Sequence, residues 1–351
     1  MSRFINDSLR KMESYTPGEQ PKDKRYIKLN TNESPYPPSQ GVIDAINREQ
    51  IENLRLYSDP TCRDLKAAMA ELYATDADCI FLSNGSDDIL NFAFMAYGHL
   101  GAVFADITYG FYKVFAELYG VKCEIVPLRA DFSQNTEAYL AKNSLVVIAN
   151  PNAPTGEFIS LDKIEQIVKS NEDGVVLIDE AYVDFGGESC AYLTKKYKNL
   201  LCVGTFSKSR SMAGARLGFA VGDKELIADL EKIKYSTNPY NINRLTQLAG
   251  LMAVKENSYY MDNCKLIMST REKTASALRS MGFEVLPSYA NFILAKSDKI
   301  GGEELYLELK KKGILVRHLS FERIKDYNRI TIGSEEEMDA FIKAVKEITD
   351  K

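Results

Sequence analysis

The sequence predicts an α/β protein: a mostly parallel sheet flanked by helices, followed by a second, smaller α/β unit. Three observations predict it. Short runs rich in Val, Ile and Leu recur between helical patterns, as in Ser144–Ala149 and Val175–Asp179, and strands buried on both faces of a parallel sheet look like this. After Gly282 the rhythm changes to shorter strands with two helices among them. A chain of 351 residues holds about two domains at ~100–200 residues each.

The first forty residues are rich in Pro and polar groups and end in Asn30-Thr-Asn-Glu-Ser-Pro-Tyr-Pro-Pro38, which cannot be a helix interior. Residues 1–40 therefore read as an arm or lid, 41–256 as a large domain and 257–351 as a small C-terminal domain. In the large domain Val42–Asn53 and Pro60–Tyr73 have helical spacing, Cys79–Ser83 reads as a strand, Asp87–Tyr97 as a helix, Ala102–Asp106 as a strand and Gly110–Tyr119 as a helix. The runs Ser144–Ala149, Val175–Asp179, Leu200–Gly204 and Leu217–Val221 read as strands, and 223–234, 241–255 and 257–281 as helices. Beyond Gly282, Phe283–Leu286, Asn291–Ala295, Ile314–Arg317 and Arg329–Ile332 are strand-like, with a helix near 303–312. A last helix opens at Ser334-Glu-Glu-Glu, a capping-type Ser with Glu three residues on.

Composition narrows the chemistry. A formal charge of −5 and a pI near 5.4 argue against a general nucleic-acid binder. The two histidines, His99 and His318, cannot build a three-imidazole zinc centre, and no metal site is expected. Six scattered cysteines without a CxxC pair read as reduced thiols of a cytoplasmic enzyme. The opening MSRFINDSLRKMESYTPGEQ has no apolar core, so no secretory signal is read there, and no run reaches the ~18–20 apolar residues of a membrane span.

In an open α/β sheet ligands bind outside the carboxyl ends of the strands, so the residues after each apolar run matter most. Cys79–Ser83 is followed by Asn84-Gly-Ser-Asp-Asp88, Ser144–Ala149 by Asn150-Pro-Asn-Ala-Pro-Thr-Gly156, and Val175–Ile178 by Asp179-Glu-Ala-Tyr182. Leu200–Gly204 is followed by Thr205-Phe-Ser-Lys208, with Arg216 eight residues further on. Asp, Lys and Arg at successive strand ends face one rim. A lysine amine can form a Schiff base with an aldehyde cofactor, an Asp can keep a pyridine nitrogen protonated, and a Tyr can bond the ring oxygen. A glycine turn, a serine, a helix start and an arginine can hold a phosphate. Together these needs describe pyridoxal 5′-phosphate.

The segments NPNAPTG, DEAY, TFSK and the spacing to Arg216 resemble the pyridoxal-phosphate-dependent fold-type I aminotransferases of class I/II. The wider set LNTNESPYPPS, YSDP, NGSDD, TYGFY, TFSKSRSMAGARLG, NPYNIN, ANFIL, GILVR and RITIG is most similar to their histidinol-phosphate aminotransferase branch, over about residues 28–335. The resemblance implies a seven-stranded, mostly parallel sheet in the large domain and a homodimer. It implies that Lys208 is the Schiff-base lysine and proton carrier, that Asp179 pairs with the pyridinium nitrogen and that Tyr182 bonds the ring oxygen. Gly85, Ser86, Asp87, Thr205, Ser207 and Arg216 would surround the phosphate, Tyr109 would stack on the ring, and Tyr57 would reach a partner's cofactor. Arg329 would clamp the substrate carboxylate and Arg317 a second anion, with Asn32 and Tyr240 as further substrate candidates.

The residue directly before Pro-Thr-Gly is usually an Asn bonding the ring oxygen; here it is Ala153. Asn152 is expected to take over that bond, with Asn150, or Tyr182 alone, as alternatives. His318 is read as an exposed loop residue. The implied reaction is transamination of histidinol phosphate with 2-oxoglutarate to imidazole-acetol phosphate and glutamate, a step of histidine biosynthesis. An aromatic-amino-acid aminotransferase or a threonine-phosphate decarboxylase would use the same machinery. No strand is followed by GxGxxG, against a dinucleotide-binding dehydrogenase.

Overall fold

The computed structural model describes residues 2–350 and builds them around two sheets. The strands, in chain order, are β1 (Ile27–Leu29), β2 (Ile80–Ser83), β3 (Ala102–Ala105), β4 (Cys123–Val126), β5 (Leu145–Ala149), β6 (Val176–Asp179), β7 (Leu200–Thr205), β8 (Gly218–Gly222), β9 (Phe283–Val285), β10 (Phe292–Ser297), β11 (Ile314–His318) and β12 (Asn328–Thr331). The seven-stranded sheet has the order β2-β8-β7-β6-β5-β3-β4. Pairings from β4 through β7 are parallel, while β8 runs antiparallel to both β7 and β2. Every residue of β2, β3, β5, β6 and β7 is buried, which is why these strands read as continuous apolar runs rather than alternating ones.

The strand order decides what meets at the carboxyl rim. β6, β7, β8 and β2 are successive neighbours, and strands in a sheet lie ~4.8 Å apart. Because β8 is reversed, its first residue sits at the same rim as the last residue of β7, so Arg216, just before β8, faces the segment that carries Lys208. Gly218, paired with Ser83, makes that closeness possible: a Cβ there would lie 2.3 Å from the carbonyl carbon of Gly85 and the nitrogen of Ser86.

The second sheet has the order β1-β11-β12-β10-β9. It packs with the helices Asn257–Ser280 and Glu335–Thr349 around a core that includes Leu278, Phe292, Ile330 and Phe341. Ser334 opens the last helix with a complete capping box to Glu337. β1 comes from the N-terminal segment and pairs parallel with β11, register Ile27↔Ile314, so part of the segment read as an arm is an edge strand of this sheet.

Three further local departures have physical reasons. The stretch read as one helix over Val42–Asn53 is two short ones, Gln40–Ala45 and Arg48–Glu52, because Asn47 caps the second by accepting from the Gln50 amide. β4 is an edge strand with only Val126 buried, so it lacks an apolar run. The helix Leu161–Ser170 buries Ile164, Ile167 and Val168, a helical spacing that the sequence does carry. Among the described residues, no helix is long and apolar enough to cross a membrane.

Candidate active site

Two cavities of about 490 and 480 Å³ open at the carboxyl rim of the large sheet. They share Gln20, Thr31, Tyr109, Ala153, Tyr182 and Lys208 in their walls, so they are two chambers of one cleft. The first is closed at its far end by Ser86, Asp87, Ser207 and Arg216, with Asp179 and Thr205 on its floor. The second runs to Arg317 and Arg329 in the small sheet and is walled by residues 15–18.

The far end of the first chamber is an anion cradle. Gly85 has φ +81°, a left-handed conformation that turns the chain into the helix Ser86–Tyr97, and a Cβ there would sit 2.5 Å from the Arg216 guanidinium. That helix offers its free N–H groups and the positive end of its dipole. Arg216 donates to Ser207 Oγ at 3.4 Å and to Asp87 at 3.1 Å. The Asp87 carboxylate also accepts from the Tyr109 hydroxyl at 2.8 Å. Thr205 Oγ1 accepts from the Ser207 amide at 3.1 Å and bonds its hydroxyl at 3.0 Å, which sets the Ser207 side chain.

On the floor, Asp179 ends β6 in full burial, accepting from the Tyr112 hydroxyl at 2.8 Å and the Ala181 amide at 3.2 Å. Burial pushes its pKa up to about 6, against the lowering effect of those two donors. A buried carboxylate held by donors and lacking a cationic partner is costly; a protonated ring nitrogen at this spot would supply that partner. Tyr112 belongs to TYGFY, but its helical spacing reads as core, so sequence reasoning passed over it.

Lys208 Nζ reaches the carbonyl of Thr31 at 3.3 Å and lies 5.7 Å from the centroid of the Tyr182 ring. Tyr182 Oη accepts from Asn32 Nδ2 at 2.9 Å. In the second chamber Arg329 is half-buried, donates to the carbonyl of Asn30 at 2.9 Å and keeps a buried Nε unpaired. Burial pushes its pKa down from the usual guanidinium value. Arg317 donates to the carbonyls of Thr16 and Pro17 at 3.1 and 3.3 Å.

Of the expected residues, Lys208, Asp179, Tyr182, Ser86, Asp87, Tyr109, Thr205, Ser207, Arg216, Asn32, Arg317 and Arg329 thus line the cleft, with Gly85 shaping its end. Asn152 does not. Its Nδ2 donates to the Ile107 carbonyl at 3.0 Å and to Thr155 at 2.9 Å, and its Oδ1 accepts from Thr108 at 2.8 Å, so the amide is committed to pinning its turn to the segment after β3. Asn150 is likewise spent, bridging both backbone groups of Ile159. Tyr57 and Tyr240 lie outside both chambers, stacked on each other with centroids 4.5 Å apart; Tyr57 is 80% exposed. His318, read as an exposed loop residue, instead closes β11, half-buried, and lines the second chamber.

Comparison with known proteins agrees with this geometry. Residues 24–345 match the family model described as aminotransferase class I and II. A histidinol-phosphate aminotransferase of Brachyspira hyodysenteriae is 51% identical over 351 residues, covering 99% of each chain. The crystal structure of the histidinol-phosphate aminotransferase from Clostridium acetobutylicum superposes with TM-score 0.84 at 26% identity, over 92% of this chain and 99% of that one. A Sinorhizobium meliloti histidinol-phosphate aminotransferase solved in complex with pyridoxal-5′-phosphate gives TM-score 0.88 over 100% of this chain and 98% of that one; at 22% identity it speaks to the fold alone.

Proposed function

The chain belongs to the aminotransferase class I and II family, and from that premise we propose that it exchanges an amino group between histidinol phosphate and 2-oxoglutarate, giving imidazole-acetol phosphate and glutamate. One observation carries the reading: Lys208 and Tyr182 stand on the wall shared by two chambers, one ending in Ser86, Ser207 and Arg216 and the other in Arg317 and Arg329. The first suits a phosphorylated pyridine, the second a substrate with anionic ends. The 51% identity to a protein of the named activity favours this substrate over an aromatic amino acid or threonine phosphate.

Pyridoxal phosphate, when bound, supplies an aldehyde for the amine and a protonated ring that accepts the electron pair released at the α-carbon. The residues of this chain do the rest. Asp179 holds the proton on the ring nitrogen, and Tyr112 with the Ala181 amide fixes the direction of that carboxylate. Ser86, Ser207, Arg216 and the start of the helix after Gly85 hold the phosphate, and Tyr109 covers the ring. Lys208 Nζ carries the proton to and from the substrate. Arg329, whose buried Nε–H is unpaired, takes the substrate's anionic end bidentately, and Arg317 a second anion. Residues 15–20 act as the lid of the second chamber.

A homodimer is part of the same reading. The exposed Tyr57–Tyr240 pair, outside its own cleft, is assigned to a second copy's site. The lack of a CxxC pair fits a cytoplasmic enzyme.

The test is spectroscopic. Protein incubated with pyridoxal phosphate is expected to gain a pH-dependent visible band that Lys208→Ala abolishes; no band in the wild type overturns the proposal. In single turnovers histidinol phosphate should bleach that band faster than phenylalanine or threonine phosphate, and equal rates with phenylalanine would displace the substrate.

A further inference from the structure

Three consecutive residues of the N-terminal segment each touch a different functional side chain. The carbonyl of Asn30 accepts from Arg329, the carbonyl of Thr31 accepts from Lys208, and the amide of Asn32 donates to the hydroxyl of Tyr182. The last of these is the most constrained. Asn32 is buried and holds φ at +55°, a left-handed conformation uncommon outside glycine. Four hydrogen bonds keep it there. Its N–H donates to Thr331 Oγ1 at 3.0 Å, and that hydroxyl donates back to Asn32 Oδ1 at 3.0 Å. Its carbonyl accepts from Asn291 Nδ2 at 3.1 Å, which leaves Nδ2 to aim at Tyr182 Oη at 2.9 Å.

Two features make this more than packing. The grip comes from β12: Thr331 is two residues from Arg329, and side chains two apart on a strand share a face, so one strand holds the substrate-facing arginine and the asparagine together. The direction of the bond also matters. An amide N–H can only donate, so the Tyr182 oxygen receives and its own proton is turned elsewhere, with the first chamber beside it. Ala153 stands where the wider family has an Asn against the ring oxygen, and the Asn152 amide is spent on Ile107 and Thr155. The donor the ring oxygen meets is thus left to Tyr182.

We propose that Asn32 is a positioning residue: gripped by Thr331 of the small sheet, it donates to the Tyr182 hydroxyl and so points that O–H at the cofactor's ring oxygen, tying the ring's hydrogen bonding to the position of the small sheet. This deepens the reading above and rests on it. A hydroxyl donating to the ring oxygen spreads that oxygen's negative charge; without the donation, the nearby proton is held to higher pH.

The experiment is a pH titration of the visible absorbance of the pyridoxal-phosphate-loaded dimer or monomer as purified. Asn32→Gly tolerates the left-handed backbone and removes only the amide. Asn32→Asp keeps an oxygen for Thr331 but offers Tyr182 an acceptor, drawing its proton away. Both are expected to raise the midpoint by about one unit, a tenfold change in proton affinity, in the same direction as Tyr182→Phe. The double variant Asn32→Gly with Tyr182→Phe should add nothing to Tyr182→Phe alone. An unchanged midpoint in either single variant with the band intact overturns the proposal, and a lower melting temperature with an unchanged midpoint would show a structural role only. Absence of a band in the wild type would instead bring down the cofactor reading, and this inference with it.

Discussion

At the residue scale two adjacent buried carboxylates, Asp179 in the site and Glu180 behind it, have different surroundings. Asp179 faces the cleft and takes the Tyr112 hydroxyl at 2.8 Å; removing a donor from a buried charge costs on the order of 1–3 kcal/mol. Tyr112→Phe should therefore weaken pyridoxal phosphate binding about tenfold or more while the protein stays folded, as read by fluorescence titration beside a melting curve. Unchanged affinity would mean the phenol only packs. Glu180 faces the other way, accepting from Ser189 and the Cys190 amide, both at 2.6 Å. Burial pushes its pKa from 4.5 up to about 7. A raised carboxylate pKa means the folded state binds the proton more tightly. Its stabilising contribution is thus full below about pH 4.5 and lost as pH rises to about 7, on the order of 3 kcal/mol at most. Glu180→Gln keeps an oxygen for Cys190 and an amide for Ser189. Melting of the cofactor-free variant should fall less than wild type across that window; parallel curves would refute the assignment.

At the element scale the sequence was legible wherever burial on both faces left a continuous apolar run. β5, β6 and β7 are such strands, and the chemistry sits just past their ends. The edge strand β4 exposes Cys123, Glu124 and Ile125 and so has no such run. β1 has only three residues and is made a strand by β11, a partner nearly three hundred residues away in the chain. The site divides the same way. That Lys208, Asp179, Tyr182 and Arg216 line one cleft was readable because motif and strand end coincide. Asn152 misled because its surroundings resemble those of a ring-binding asparagine, while its hydrogen bonds go to Ile107, Thr108 and Thr155, which only the folded turn brings close. The roles proposed for Tyr112 and Asn32 rest on long-range pairs, to Asp179 and Tyr182, that no local spacing reports.

At the scale of the whole molecule, the N-terminal segment joins the two sheets across the cleft. Past its edge strand it reaches Arg329, Lys208 and Tyr182; ahead of it, residues 15–20 lie over the second chamber. Tyr15 stacks on Phe111 at 4.2 Å on the large-domain side. On the other side Glu19 pairs with Lys310, and the carbonyls of Thr16 and Pro17 hold Arg317. The Glu19–Lys310 pair is only partly buried, and an ion pair near the surface contributes about 0–1 kcal/mol, so the cover can open without unfolding either sheet. Deleting residues 1–20 should lower the melting temperature only by a few degrees. Cofactor affinity should hardly change, because the first chamber takes only Gln20 from this stretch. The second chamber, by contrast, loses Tyr15, Thr16, Pro17, Gly18 and Gln20 from its wall, and the KM for the phosphorylated substrate should rise about tenfold, some ~1.4 kcal/mol of lost binding. The split between the two readouts is what decides it: a truncated protein whose cofactor affinity fell about tenfold while its KM, measured with saturating pyridoxal phosphate, stayed unchanged would place residues 15–20 in the cofactor chamber and end their reading as a substrate lid.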